Sequence, residues 1–268
     1  MQKNERLFYR VPKSAIREPG GCDDLSKYFF FRIIAHMAIA SLLGLLFPQR
    51  CPLCEAPAHA SRALPICESC WATIQRYTGP ACSLCGLPAV SHHTERCQEC
   101  VSSPPMFVFS RSYGIYEGVL KKAIHFLKFD GKRRLAKPLA ALLCELSLPA
   151  VDAVVPVPLH ISRLRKREFN QTALIGKHLA GHLRISLRTD LLIKTKATAA
   201  QIDVDRQERL KNLKKAFTAS KDVAGLRILL IDDVVTTGAT ARESAKALKN
   251  AGAEEVFVVA LARSLPKC

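Results

Sequence analysis

The chain has 268 residues, 49% of them hydrophobic, with few signs of low complexity, which is enough for one core of ordinary size and a small satellite module. A formal charge of +17 and a pI near 9.6 point to anionic partners, either nucleic acid or phosphorylated small molecules, although a solvated basic surface has the same signature. Eight of the eleven cysteines form four CxxC pairs between Cys51 and Cys100, a pattern that argues against a secreted disulfide scaffold and for metal-bound thiolates in a reducing cytoplasm.

Residues 1–27 are polar, carry Pro12, Pro19, Gly20 and Gly21, and show no periodicity. They read as a disordered extension, or as residues upstream of the start codon in use, with no secretory signal. Residues 28–47 are the most apolar stretch, but Arg32 and His36 interrupt it. A spanning helix needs about 20 predominantly apolar residues, so a helix packed on a domain is expected and stable membrane insertion is not.

The block 48–101 holds the paired cysteines. Cys51, Cys54, Cys67 and Cys70 read C-x2-C-x12-C-x2-C, and Cys82, Cys85, Cys97 and Cys100 read C-x2-C-x11-C-x2-C. Tetrahedral Zn²⁺ takes four thiolates, and an all-cysteine site leaves no open position, so the metal would be structural. Two successive ribbons are the simpler arrangement, and interleaved pairing satisfies the same spacing. A redox-active CxxC fits less well, because that motif usually occurs once beside a βαβ unit. Gly86 suits a knuckle turn, His92 and His93 read as loop residues rather than ligands, and Trp71 is expected to pack the ribbon.

Ser102, Ser103, Pro104 and Pro105 mark a domain boundary. From residue 106 to 268, strand and helix patterns alternate. Strands are expected at 107–116, 151–157, 228–231 and 256–261, with a further one at 191–194; helices are expected at 117–129, 134–146, 169–183 and 241–250. This alternation predicts an α/β domain with a parallel sheet. Cys144 is expected in its core, and His125 at an interface rather than in catalysis.

The segment 228–240, ILLIDDVVTTGAT, carries the most specific signal. An apolar strand is predicted to end at Ile231, with Asp232 and Asp233 standing at its carboxyl end, where α/β sheets bind ligands. Two adjacent carboxylates repel unless ribose hydroxyls or Mg²⁺ take up their charge. Thr236, Thr237, Gly238, Ala239 and Thr240 then offer hydroxyls and backbone N–H groups to a phosphate at a helix start, and Thr240 is placed to cap that helix. Upstream, residues 154–171 run from a strand into a basic loop with Arg163, Arg165, Lys166 and Arg167, cations suited to pyrophosphate oxygens. The long polar segment 198–217 reads as a lid.

The segment 228–240 resembles the signature of type I phosphoribosyltransferases. By that resemblance Asp232 and Asp233 would contact the ribose 2′- and 3′-hydroxyls of phosphoribosyl pyrophosphate (PRPP), Thr236 to Thr240 would wrap its 5-phosphate, and Mg²⁺ would accompany it. Together with LFPQRCPLC, the four CxxC pairs, PVPLH…R…FNQ and T…Q…ER..N…AF, the chain over about residues 40–263 resembles the ComF family, which takes in the ComFC and GntX-like competence proteins. The implied architecture is a type I phosphoribosyltransferase fold preceded by a small zinc-ribbon module with four-cysteine sites. The implied role is DNA uptake in natural transformation, with single-stranded DNA and a helicase of the uptake machinery as partners. Basic runs at 121–122, 128–134, 163–167 and 209–215 would track a phosphate backbone. A transferase acting on an unknown small nucleophile and a PRPP-sensing scaffold are the alternatives. One departure concerns Glu168, where members often carry glycine, so a different conformation is expected just before Phe169.

Overall fold

A computed structural model describes residues 49–58, 61–91, 95–196, 213 and 215–265. The chain divides after Pro48, and the described residues all belong to the second unit. The expected extension 1–27, the apolar helix 28–47, His92, His93 and nearly all of the candidate lid at 198–217 lie outside the described residues.

Two one-turn helices, α1 (Glu68–Ala72) and α2 (Gln98–Ser102), belong to the cysteine block. The remainder runs β1 (Phe109–Ile115), α3 (Gly118–Phe129), a 3-10 turn (Arg133–Leu135), α4 (Ala136–Cys144), β2 (Ala153–Pro156), α5 (Ile161–Arg167), α6 (Gln171–Leu183), β3 (Ser186–Leu187), β4 (Leu192–Lys194), β5 (Phe217–Ala219), a second 3-10 turn (Lys221–Val223), β6 (Arg227–Val235), α7 (Ala239–Asn250) and β7 (Glu255–Arg263). Five strands form a parallel sheet in the order β1-β7-β6-β2-β3, and β4 and β5 pair antiparallel on their own.

Burial on both faces explains why Ile228–Ile231 of β6 and Val256–Ala262 of β7 are apolar at consecutive positions, with the period of two sending neighbours to opposite faces. Leu229 and Ile231 of β6, with Phe257, Val259 and Leu261 of β7, pack into one cluster with Ile124 and Leu127 of α3, Leu139 of α4 and Ile175 of α6. Ile228 and Leu230, with Val256 and Val258, pack on the other face with Ala241, Ala245 and Leu248 of α7 and Leu192 of β4. Each fully buried Leu or Ile stabilises the fold by about 1.5–3 kcal/mol, and both faces need covering.

Several local expectations are revised. The central strand runs on to Val235, so Asp232 and Asp233 lie within it and pair with β7 in register, Asp232 opposite Ala260. The arginines after β2 lie on the short helix α5 rather than in a loop, started by His160, whose ring accepts from Ser162 N–H. Glu168 adopts the left-handed conformation (φ 64°), so the backbone before Phe169 takes a glycine-like shape despite its side chain. Cys144 is only half-buried, and His125 stands at the surface 3.3 Å from Asp130.

The two ribbons sit on opposite faces of the sheet. Cys51, Ile66 and Trp71 belong to the cluster that contains α3 and α4, and Cys82, Cys85, Cys100 and Phe107 to the one that contains α7. The second ribbon also closes the outer edge of β1: Ser110 N–H donates to the Leu84 carbonyl at 2.6 Å. An unpaired edge would otherwise invite association. This contact explains Gly86, which has φ +67° and where a Cβ would lie 2.5 Å from the Ser110 carbonyl oxygen. Gly86→Ala is expected to cost about 1–3 kcal/mol from backbone strain, with the clash added to it. A urea unfolding midpoint equal to wild type would contradict this account of the contact.

Candidate functional site

The two cysteine sets are built alike. Cys51 N–H donates to Ala56 O and Cys82 N–H to Leu87 O, both at 2.8 Å, and single bridges join Arg50 with Pro57 and Ala81 with Pro88. In each set the second CxxC opens a one-turn helix, with Cys67 or Cys97 at the N-cap. The thiol sulfurs of Cys51, Cys54, Cys67 and Cys70 lie within 4.8 Å of one another, as do those of Cys82, Cys85, Cys97 and Cys100. The pairing left open by spacing is therefore successive. Sulfurs at 3.5 Å (Cys54–Cys67) and 3.6 Å (Cys85–Cys97) approach the ~3.8 Å separation of four thiolates around tetrahedral zinc.

Charge tells the same story. The Ser69 hydroxyl, followed by the Cys70 N–H, draws the Cys67 thiol down to about 6. Burial raises Cys82, but N–H groups of Cys85, Cys97 and Leu84 outweigh it and bring that thiol to about 6. Burial lifts Cys85 to about 11, and Cys100 moves further up, by burial and then by the Cys85 charge. Four thiolates at this spacing ionise together only around a cation. Each tetrad thus fits structural zinc.

The second site lies at the carboxyl end of β6. Asp232 and Asp233 are 8% and 6% exposed. Being adjacent in a strand, they face opposite sides of the sheet, and this eases the repulsion expected between them. Asp233 lies on the side of α3 and α6, where it accepts from Lys128 Nζ and Gln171 Nε2, each at 2.6 Å. Asp232 lies on the side of β4; its Oδ1 accepts the Asp233 N–H at 2.8 Å, and the Lys194 ammonium stabilises its charge. Burial, and next the Asp233 charge, push Asp232 up to about 7, against the pull of Lys128. Lys194 is drawn down to about 8, by burial and then by Arg163.

Thr236 to Gly238 form the turn into α7. Gly238 is the N-cap, at φ 80°, with no side-chain cap, and Ala239 and Thr240 already belong to the helix; Thr240 is therefore not the cap. The first N–H groups of a helix lack intrahelical partners, so this end presents donors and the positive end of the dipole. Thr237 Oγ1 accepts one of them, from Ala239, at 3.3 Å.

Of the three arginines singled out after β2, two face this site. Arg163 and Arg167 are one helical turn apart; Arg167 donates to Gln171 at 3.3 Å, and the Asp233 charge stabilises its guanidinium. Arg165 is exposed and points away, because residues of a helix turn by about 100° each. Beside Arg167 opens a groove of about 470 Å³ lined by Lys128, Phe129, Arg133, Lys166 and Phe169. Arg167 lies 4.7 Å over the Phe129 ring and Arg133 4.6 Å over that of Phe169, while Phe129 keeps 60% exposure.

Lys128, Gln171 and Lys194 are site residues that sequence reasoning did not assign. Lys128 and Gln171 stand in segments already noted, the basic run 128–134 and FNQ, but nothing local ties them to Asp233, 105 and 62 residues away.

Known protein families match both parts of the chain. A family model described as "Double zinc ribbon domain" matches residues 42–101, and one described as "Phosphoribosyl transferase domain" matches residues 171–266. The fold and the paired tetrads define a double zinc ribbon joined to a phosphoribosyltransferase domain. "DNA utilization protein YhgH" of Salmonella typhi is 35% identical over 229 residues, covering 82% of this chain and all of its own length. "Competence protein F" of Haemophilus influenzae is 30% identical over 231 residues (81% and 98%), and "Competence protein ComFC" of Bacillus subtilis 28% over 200 (70% and 79%). The chain belongs to the ComF family, as a competence-related protein with a phosphoribosyltransferase-like domain.

Among solved structures, glutamine PRPP amidotransferase from B. subtilis gives a TM-score of 0.34 at 24% identity over 46% of this chain and 25% of that one. Adenine phosphoribosyltransferase from Leishmania tarentolae gives 0.33 at 17% identity over 52% and 74%. Likenesses this slight carry no inference about activity. Among the described residues no helix is long and apolar enough to cross a membrane.

The raised Asp232 carboxyl has a testable sign. Its folded value of about 7 exceeds the ordinary 3.8, so the folded chain holds the proton more tightly. The associated stability is present below pH ~4 and lost as pH rises to about 7. Asp232→Asn, which keeps an oxygen for the Asp233 N–H, should raise the melting temperature at pH 8 and change it little at pH 4. An equal shift at both would contradict the burial account.

Proposed function

We propose that this protein binds PRPP with Mg²⁺ at the carboxyl end of β6, and holds single-stranded DNA along the adjacent groove, as a cytoplasmic component of DNA uptake. The observation that carries this reading is the sequence of groups at the carboxyl end of the central strand: two buried acids, a three-residue turn and a helix start whose N-cap glycine offers no side-chain cap. Asp232 and Asp233 would take the ribose hydroxyls, Thr236 to Thr240 the 5-phosphate, and Arg163 and Arg167 the pyrophosphate; Mg²⁺ would add positive charge at the phosphates. DNA utilization and competence are in the names of the relatives, which supports the biological setting.

Calorimetry with PRPP and Mg²⁺ tests the ligand. Wild type should bind, and Asp232→Asn or Asp233→Asn should lose about tenfold or more, the scale of a charged hydrogen bond. Equal binding by both variants overturns the site. Release of pyrophosphate with ammonia or a panel of bases would favour the transferase reading over binding alone.

The nucleic-acid part rests on the groove. Stacking contributes about 1–3 kcal/mol per base and phosphate contacts give a salt slope of about −0.7 per charge. Phe129→Ala should weaken oligo-dT binding about tenfold with the slope unchanged, and Arg133→Gln should flatten the slope by about 0.7. Binding that is absent, or flat between low and moderate salt, removes this part of the proposal.

A further inference from the structure

The second tetrad and the Thr236–Thr240 turn share two arginines. Arg242, in the first turn of α7, donates Nη1 to Ser103 O at 2.6 Å and Nη2 to Cys100 Sγ at 3.2 Å, and pairs with Glu99 at 3.5 Å. Arg263 ends β7 opposite Val235, the residue before the turn. It donates Nη1 to the Cys85 carbonyl at 3.1 Å, and a Cβ on Gly238 would stand 3.9 Å from the same nitrogen. Arg263 is only 5% exposed, and its Nε has no hydrogen-bond partner among the described residues. Such a buried guanidinium needs nearby negative charge. Zinc held by the four thiolates would bring a charge of −2, and Arg242 and Arg263 reach the cysteine set from the side of residues 236–242.

The first tetrad is seated by other means. Ile66 and Trp71 pack into the apolar cluster with Leu135 and Leu139, on the opposite face of the sheet.

We propose that Arg242 and Arg263 are positioning residues through which the second zinc centre, and not the first, holds the phosphate loop in its binding shape. The metal ties the knuckle at Cys82–Cys85 to the one at Cys97–Cys100. The carbonyls of Cys85 and Ser103 and the sulfur of Cys100 are thereby fixed, and both guanidiniums with them. Arg242 in turn pins the first turn of α7, where the Gly238 carbonyl accepts its N–H at 2.9 Å. Loss of that metal frees the acceptors, and the turn loosens. By reciprocity, a ligand in the loop slows zinc loss from the second tetrad.

This inference rests on the reading of the loop as a phosphate site, so its test has a readout that needs no ligand. Amide hydrogen exchange over residues 236–242 is compared in the full chain for wild type, Cys54→Ser (first tetrad), Cys97→Ser (second tetrad), Arg242→Gln and Arg242→Lys. Cys97→Ser and Arg242→Gln should speed exchange there about tenfold, Cys54→Ser should leave it within about twofold, and Arg242→Lys should recover part of the protection. Arg242→Gln keeps every zinc ligand, so it decides the matter if Cys97→Ser fails to fold. Unchanged protection in Arg242→Gln, or equal loosening in Cys54→Ser, overturns the proposal. PRPP should also slow chelator-driven zinc loss from Cys54→Ser, which retains the second tetrad. If wild type does not bind PRPP, the function above fails while the exchange comparison still decides the coupling.

Discussion

The organisation of this molecule depends on how two consecutive carboxylates are kept near the carboxyl end of the central strand. A sheet offers only one remedy for their repulsion, the alternation that sends Asp232 and Asp233 to opposite faces. Lys128 from α3 makes the ion pair with Asp233 and also draws on Asp232, and Lys194 from β4 adds a weaker pull on Asp232 from the other face. The lysines come from elements that cover the two sides of the sheet, so the domain must be fully assembled before the acids are balanced. The balance is unequal. Asp233 makes a direct ion pair and takes a second hydrogen bond from Gln171, whereas the nearly buried Asp232 is left with its proton held to about pH 7. A group poised in this way gives up its proton when a ligand or cation makes the charged form worthwhile.

Much of this was legible along the chain. The alternation of apolar runs with helical stripes, the apolar stretch of the core strand and the two sets of four cysteines are all local signals, set by periods and spacings of a few residues. What stayed hidden was long-range or stereochemical. Nothing near Lys128 or Gln171 in the chain points to Asp233. The strand's extension to Val235 was masked because two acids look like a strand end until their cations are known. Arg163, Arg165 and Arg167 read alike in an expected loop, and only the helical turn of α5 separates the first and third from the second. Glu168 misled in the opposite direction: the absence of glycine suggested another backbone shape, yet Glu168 itself takes the left-handed conformation that glycine favours, with Arg133 3.3 Å from its carboxylate. The choice between successive and interleaved tetrads required the distances themselves.

The ribbons follow the same division by faces. The first is seated by apolar packing beside α3 and α4, with Arg76 and Tyr77 just beyond it donating to the Glu145 and Tyr113 carbonyls; the second is seated by apolar packing beside α7, by backbone pairing to β1 and by arginines from α7 and β7 that reach its cysteines. Apolar packing is nondirectional and tolerates small rotations, whereas guanidinium contacts to carbonyls and a sulfur fix orientation. A module joined by the second kind of contact transmits its own integrity to the element it grips.

This difference bears on what each face is for. The first ribbon's Gln49, Leu64 and Pro65 border a hollow lined also by Lys132, Arg133 and Arg134 of the basic segment. Arg133 lines the neighbouring Phe129–Phe169 groove as well, so the first ribbon extends a positively charged, aromatic surface on the Asp233 side. The second ribbon instead buttresses the turn that opens α7. A polymer spread over a broad basic surface tolerates small movements of its support, because its contacts are many and mostly electrostatic. A single phosphate held by a few N–H groups does not, since hydrogen bonds weaken steeply with misalignment. On the proposed reading, the arginines that reach the second tetrad stand beside the compact anion and the broad basic surface stands beside the first ribbon, so guanidinium contacts to the metal-site cysteines fall where the ligand contacts would tolerate least movement.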